Sequence, residues 1–514
     1  MAYFEYVGRP VLAMLIIAAA TLRASANHDA VKSAAELQGE YAQLDADYRR
    51  ELEHLSHVAF SRGWATLGER ARGWRPAPPA TGSLIFIAPD AYSRPEEVHT
   101  GKGDSPPDAQ PWRDQFDELR RKHSESLFQL AKRAADARQP SLAFQWVTES
   151  LREDPEHPEG RRVLGYEKRD GKWLTSYGAK MADAGKTWHA KYGWIAAADV
   201  PRYESGERLV GDRWTSEAVD AARHADMRNG WQVRSDHFQV TTNHSLEAAA
   251  ELAARLERLH QAWRQLFAGY YLSEREVAQL FAGDRNSRAL ARPFRVFYHR
   301  DRGQYTNALR RRQPRIAETL GIYFDTNREA HFFAGEAAAG GSPTDSPTAG
   351  PAVATLYHEG VHQLFQESKP TAKRIGDTAN FWVIEGVATY FETLAEHPDP
   401  NAGLYFTVGE TTSGRLPAAR ERLKDGYYVP LAELTRLGKS DVQRHAEIAK
   451  LYSQSSGLVA FLMNSEQGRY REPLVRYLQA VYSGRDHDDT LANECGASYE
   501  ELDAAYRRYL ESLP

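Results

Sequence analysis

Cysteine is almost absent: Cys495 is the only one in 514 residues. No disulfide can form within the chain, so its stability rests on packing and on any bound metal. Long apolar runs are also missing. The longest, VLAMLIIAAATL (Val11–Leu22), falls short of the roughly 20 residues a membrane-spanning helix needs. Charge of one sign is lacking too. The 65 Lys and Arg nearly balance the 70 Asp and Glu, for a net −5, which leaves no electrostatic footprint for nucleic acid. The basic run Arg310–Arg312 reads as a solvated helix face. No Ser or Cys lies in a G-x-S-x-G context, and no glycine-rich loop follows a strand. Nucleophile-elbow hydrolases and nucleotide-binding folds are therefore poor matches.

What the chain does have begins with an export signal. Arg9 precedes the apolar run, and the small residues Ala24–Ala26 follow it, a pattern that predicts cleavage near Ala26. The mature protein is then expected outside the cytoplasm, periplasmic or secreted, with no stable membrane anchor. The remaining chain has room for roughly two to four domains. Residues 27–112 read as a helical segment over 32–62 followed by a connector rich in Pro and Gly, with SLIFIAP as a possible strand. Residues 113–230 read as helical. Within them, Leu127–Tyr166 resembles a tetratricopeptide-type helical hairpin occurring once, which serves either to brace the next domain or to hold a protein partner. Residues 231–514 open with strand patterns (HFQVTTN, FRVFYHR, TLGIYFDTN) and a long helix that Ser245 can cap. The low-complexity stretch Gly335–Pro351 cannot pack a core and reads first as plain flexibility, second as a flap. Everything after Ala352 reads as helices with short turns. The expected fold class is α+β, mostly helical, with a helical N-terminal region, a small sheet and a helical C-terminal part.

The stretch TLYHEGVHQLF (Thr355–Phe365) carries the chemistry. On a helix, His358 and His362 share one face a turn apart, as two ligands of a tetrahedral ion require. Glu359 is rotated by about 100° and reaches a metal-activated water rather than the metal. Zinc lowers the pKa of such a water toward about 7, and a carboxylate takes its proton. The bland alternative is a helix that holds two histidines for packing. A third ligand is needed, and Glu385 in NFWVIEGVATYFE (Asn380–Glu392) offers one, because a carboxylate on so apolar a helix is costly to bury without a cation.

The two motifs together resemble the gluzincin metallopeptidases, and more closely the bacterial peptidase-MA-like proteins. The resemblance rests on His358, Glu359, Gly360, His362, Gln363 and Leu364, and on Trp382, Glu385, Gly386, Ala388, Tyr390 and Glu392; it covers about Trp231 to the C-terminus. It implies a gluzincin-like catalytic domain, with His358, His362 and Glu385 as zinc ligands, Glu359 as general base, and a peptide or protein as substrate. Asp377 and Glu392 are the alternatives for the third ligand. The resemblance also implies a tyrosine beyond the third ligand as oxyanion donor, and Tyr452 in IAKLYSQSSGLVAFL (Ile448–Leu462) is placed for it; simple packing in that helix is the other reading. Thr389, one turn after Glu385, is placed to hydrogen-bond a ligand. Two departures stand out. The connector Glu367–Asp377 is longer than in the best-known members, and no Gly-x-Met-Glu-Asn segment lies upstream; Glu336 is near its expected place without the motif. The expected activity is that of an exported zinc peptidase. The competing reading is a non-catalytic, zinc-stabilised binding module with a degenerate peptidase fold.

Overall fold

The computed structural model describes residues 8–92, 106–284, 292–335, 351–399, 401 and 403–513, with side chains from Ala34 onward except those of Pro107, Pro351 and Ala352. Glu336, most of the low-complexity stretch and the first seven residues lie outside the described residues. Helix α1 (Gly8–Ser61) is followed by α2 (Ala65–Arg72), with Gly63 at φ 76° turning the chain between them. Strand β1 (Ser83–Phe86) lies where SLIFIAP predicts one. Helices α3 (Gln110–Asp136) and α4 (Pro140–Glu153) form a hairpin, with Pro140 in the first turn of α4, and α5 (Pro158–Val163) completes the group. These helices meet around buried charges. Arg75 pairs with Glu149 at 2.5 Å and Asp45 at 2.6 Å. Glu153 accepts from Tyr48 and Trp74, each at 2.7 Å.

Helix does not continue to residue 230 as the sequence pattern suggests. After Val163 come three hairpin–helix units: β2 (Tyr166–Arg169), β3 (Lys172–Thr175) and α6 (Ser176–Asp183); β4 (Lys186–His189), β5 (Gly193–Ala196) and α7 (Val200–Glu204); β6 (Glu207–Val210), β7 (Arg213–Ser216) and α8 (Glu217–Arg223). The turn in the first hairpin has Asp170 at φ 48° and Gly171 at φ 79°, the two positive angles of a type I′ connection. Trp173, Trp194 and Trp214 recur in the second strand of each hairpin. That repeat, rather than the helical periodicity, was the informative signal.

The main core follows. Strands β8 (Trp231–Arg234), β9 (Phe238–Thr242), β10 (Phe294–His299), β11 (Gly321–Phe324) and β12 (Glu329–Phe333) form one sheet in the order β11-β12-β10-β9-β8. Its central strand β10 runs parallel to both neighbours, and the two edges are antiparallel. Helix α9 (Leu246–Leu266), capped by Ser245 through the Ala248 amide at 3.1 Å, lays Leu252, Leu256 and Leu259 into the same core as Val240 and Val296 of the sheet. Helices α10 (Ala268–Tyr271), α11 (Glu274–Ala282) and α12 (Arg302–Leu309) connect these elements.

Helices α13 (Pro351–Glu367) and α14 (Phe381–Phe391) carry the two motifs. The C-terminal part is not all helical as expected. Strands β13 (Ala395–Asp399) and β14 (Gly403–Val408) form a hairpin, and β1 pairs with β14 to give a three-stranded sheet. The strands fit the sequence: turn residues at Asp399 to Gly403 break the helical pattern between two short extended runs. Then come α15 (Leu416–Lys424), α16 (Leu431–Leu434), α17 (Lys439–Gln443), α18 (Ile448–Asn464), α19 (Arg471–Ser483), α20 (Thr490–Cys495) and α21 (Tyr499–Ser512). Among the described residues no helix is long and apolar enough to cross a membrane.

Two motif glycines set the helix packing. A Cβ on Gly360 would lie 2.8 Å from Leu259 of α9. One on Gly386 would lie 2.8 Å from Val459 and 2.9 Å from the Ser455 carbonyl, so α14 and α18 touch at that point. Alanine favours a helix by about 1 kcal/mol over glycine, but here it meets backbone that cannot rotate away. Gly386→Ala is expected to destabilise the protein by about 1–3 kcal/mol. Chemical denaturation checks this, and a stabilised variant would show that the helices are not in close contact.

Candidate metal centre

Three polar side chains meet between α13 and α14. His358 Nε2 lies 3.2 Å from His362 Nε2 and 3.5 Å from one Glu385 oxygen, and the other Glu385 oxygen is 3.9 Å from His362 Nε2. Tetrahedral zinc with bonds of about 2.0–2.1 Å spaces its ligand atoms by roughly 3.3–3.4 Å. The three donors are thus already near the spacing that a small cation requires. Each side chain is 14–15% exposed, so the group is mostly buried but not sealed from solvent. The rest of α14 explains why Glu385 points here: Phe381, Trp382, Val383, Val387, Tyr390 and Phe391 are all buried. An ion on that helix must find partners, since an unpaired buried carboxylate is among the costliest groups to fold.

The protons show the same pull. Burial works against a charged His358, but hydrogen bonds to Glu385 and Glu392 outweigh it and hold the imidazole up at about 10. Burial lowers His362 to about 4. Burial alone would raise Glu385, yet its bond to His358 and the charge of His362 bring it down to about 2. The carboxylates favour positive charge on the histidine pair, which is the charge a bound cation would supply.

Around this group the structure supplies a second set of contacts. Glu359 Oε2 accepts the Tyr323 amide of β11 at 2.8 Å, which fixes the carboxylate beside the histidines, and burial raises its pKa. Glu392 Oε1 lies 2.9 Å from His358 Nδ1, leaving Nε2 free for a ligand's role. Sequence reasoning placed Glu392 as a possible third ligand; the structure makes it the acceptor that orients His358. Arg415 Nε in turn reaches Glu392 Oε2 at 3.4 Å. The Tyr452 hydroxyl faces Glu385, and burial together with that carboxylate raises its pKa. The Arg415 guanidinium sits 5.3 Å above the Tyr452 ring.

Two expectations are corrected. Thr389 does not support a ligand: its hydroxyl donates to the Gly386 carbonyl of its own helix at 3.0 Å, the back-bonding common for a buried helical threonine. Asp377 is paired with Arg374 at 2.7 Å in the loop before α14. Arg415 and the Tyr323 amide had no signal in the sequence. One arrives on a loop after β14, and the other is a backbone group.

A second group, His237, Glu257 and His260, also offers ligand atoms close together. Its carboxylate is already spent, accepting from Ser235 at 2.6 Å and from the His237 amide and ring at 2.7 and 2.6 Å. The two imidazoles stack face to face at 3.8 Å. This group reads as a satisfied buried network joining the β8–β9 turn to α9. Residues 352–485, which include His358, His362, Glu385, Glu392, Arg415 and Tyr452, match a family described as Protein of unknown function (DUF1570). No curated protein matches the chain.

Removing the carboxylate that closes the triangle leaves two histidines on one helix. Glu385→Ala should abolish stoichiometric metal binding, and Glu392→Gln should weaken it by about 10- to 100-fold. Metal analysis and chelator competition check both; a Glu385→Ala protein that holds metal as tightly as wild type would place the third ligand elsewhere.

Proposed function

We propose that the chain is an exported zinc-dependent peptidase that hydrolyses peptide bonds. The observation carrying this reading is the Glu359 carboxylate, held by the Tyr323 amide within electrostatic reach of His358 and Glu385. A site built only to stabilise a fold has no use for a poised base that ligates nothing. Two imidazoles and one carboxylate are a donor set that suits zinc. Bound there, the metal would act as a Lewis acid and make a water nucleophilic near neutral pH.

The side chains divide the remaining work. Glu359 removes the proton from the attacking water and returns it to the departing amine; burial raises its pKa toward the range where a carboxylate does both. Tyr452 donates its hydroxyl to the carbonyl oxygen as negative charge grows there. Glu392 keeps His358 in the tautomer whose Nε2 is a lone-pair donor. With the N-terminal segment read as an export signal, this activity would act outside the cytoplasm, on peptide or protein substrates.

Two variants separate the roles. Glu359→Gln should keep stoichiometric zinc and lose hydrolysis of a peptide mixture followed by mass spectrometry; turnover at the wild-type rate would sink the mechanism. Tyr452→Phe should bind zinc and lose about 100- to 1,000-fold in kcat with little change in KM. A Tyr452→Phe enzyme within about threefold of wild-type kcat would mean the ring only packs.

A further inference from the structure

We infer that the N-terminal strand β1 is a working part of the metal centre, because it fixes the loop that delivers Arg415, a positioning residue for Glu392 and Tyr452. The inference rests on the metal reading above. It starts from β1, which pairs with β14 from Ser83↔Val408 to Phe86↔Tyr405. Gly82 comes so close that a Cβ would lie 2.3 Å from the Val408 carbonyl, and its φ is 86°. Just before it, Thr81 Oγ1 accepts the Thr411 amide at 2.9 Å and meets the Thr411 hydroxyl at 3.0 Å. The loop from Gly409 to Arg415 is therefore clamped from the N-terminal side.

Its other face rests on the end of α14. The Gly409 amide donates to Thr393 Oγ1 at 2.7 Å, and a Cβ on Gly414 would lie 2.8 Å from the Thr393 methyl. Thr393 is the residue after Glu392. Held in this way, Arg415 spans two parts of the site: its Nε reaches Glu392, which in turn holds His358, and its guanidinium lies over the Tyr452 ring. The Arg415 side chain is 40% exposed, so burial does not explain its place.

Electrostatics and positioning make opposite forecasts. A guanidinium repels a nearby dication, so charge alone says that removing it should tighten zinc binding. Positioning says the reverse, because Glu392 and through it His358 lose their orientation. The sign of the change decides.

The test measures the zinc dissociation constant of the full chain by chelator competition, with zinc-free melting temperatures alongside. Arg415→Gln is expected to weaken zinc about tenfold, and Arg415→Lys, which keeps the charge but not the fork, to fall between it and wild type. Thr81→Val, far from any ligand, should shift affinity in the same direction. Zinc-free melting temperatures should stay within a few degrees of wild type. If Arg415 acts through Glu392, the double variant with Glu392→Gln should bind no more weakly than Glu392→Gln alone. Unchanged or tighter zinc in R415Q overturns the inference, as do losses that multiply in the double variant. Wild-type protein that binds no zinc would overturn this inference and the metal reading together, whereas normal wild-type binding with an unaltered R415Q overturns this inference alone.

Discussion

Glu385 is a charged group on a helix whose buried residues are mostly aromatic or aliphatic, and satisfying that charge constrains much of what surrounds it. The carboxylate is mostly buried, on a helix that also buries Phe381, Val387 and Phe391, so partners have to be brought to it. His358 and His362 come from the neighbouring helix, and Tyr452 comes from α18, which lies close because Gly386 allows it. Two glycines, one in each motif, therefore act as spacers: Gly360 lets α13 close on Leu259 of α9, and Gly386 lets α14 close on α18.

The candidate ligand set is legible in the sequence because it is local. His358, Glu359 and His362 obey the helical period, and Glu385 stands out as a charge amid apolar neighbours within one helix. The strand β9, its following helix with the Ser245 cap, and the strand β1 were legible for the same reason. What was not legible depends on chain segments that meet only in the fold. Thr389 had the right spacing, but a threonine hydroxyl in a buried helix has a nearer acceptor in the carbonyl three residues back. Glu392 had the right residue type, yet sequence spacing cannot tell a ligand from the acceptor behind one. The hairpin units after Val163 were hidden by short strands that each mimic part of a helical pattern, although the recurring tryptophans marked them.

The N-terminal helices are joined to the rest by ions rather than by apolar surface alone. Arg152 of α4 pairs with Asp399 of β13 at 2.8 Å and with its neighbour Glu153 at 2.7 Å, all three fully enclosed. Such pairs add little net stability against the cost of dehydrating them, but a mismatched partner is heavily penalised. The network thus fixes how the helices dock on the β13–β14 hairpin more than how tightly they do so.

The pairing of β1 with β14 also dictates timing. Thr81 and Thr411 are 330 positions apart, so the strand made early in synthesis waits for a partner made late. Loop closure over such a distance is slow, and contacts of high sequence separation delay folding. The loop bearing Arg415 cannot take its final form until β14 has been made and has paired with β1. A chain interrupted before β14 has its histidine helix incompletely surrounded. Synthesis of β14 is thus the step that lets the Arg415 loop take its place beside Glu392.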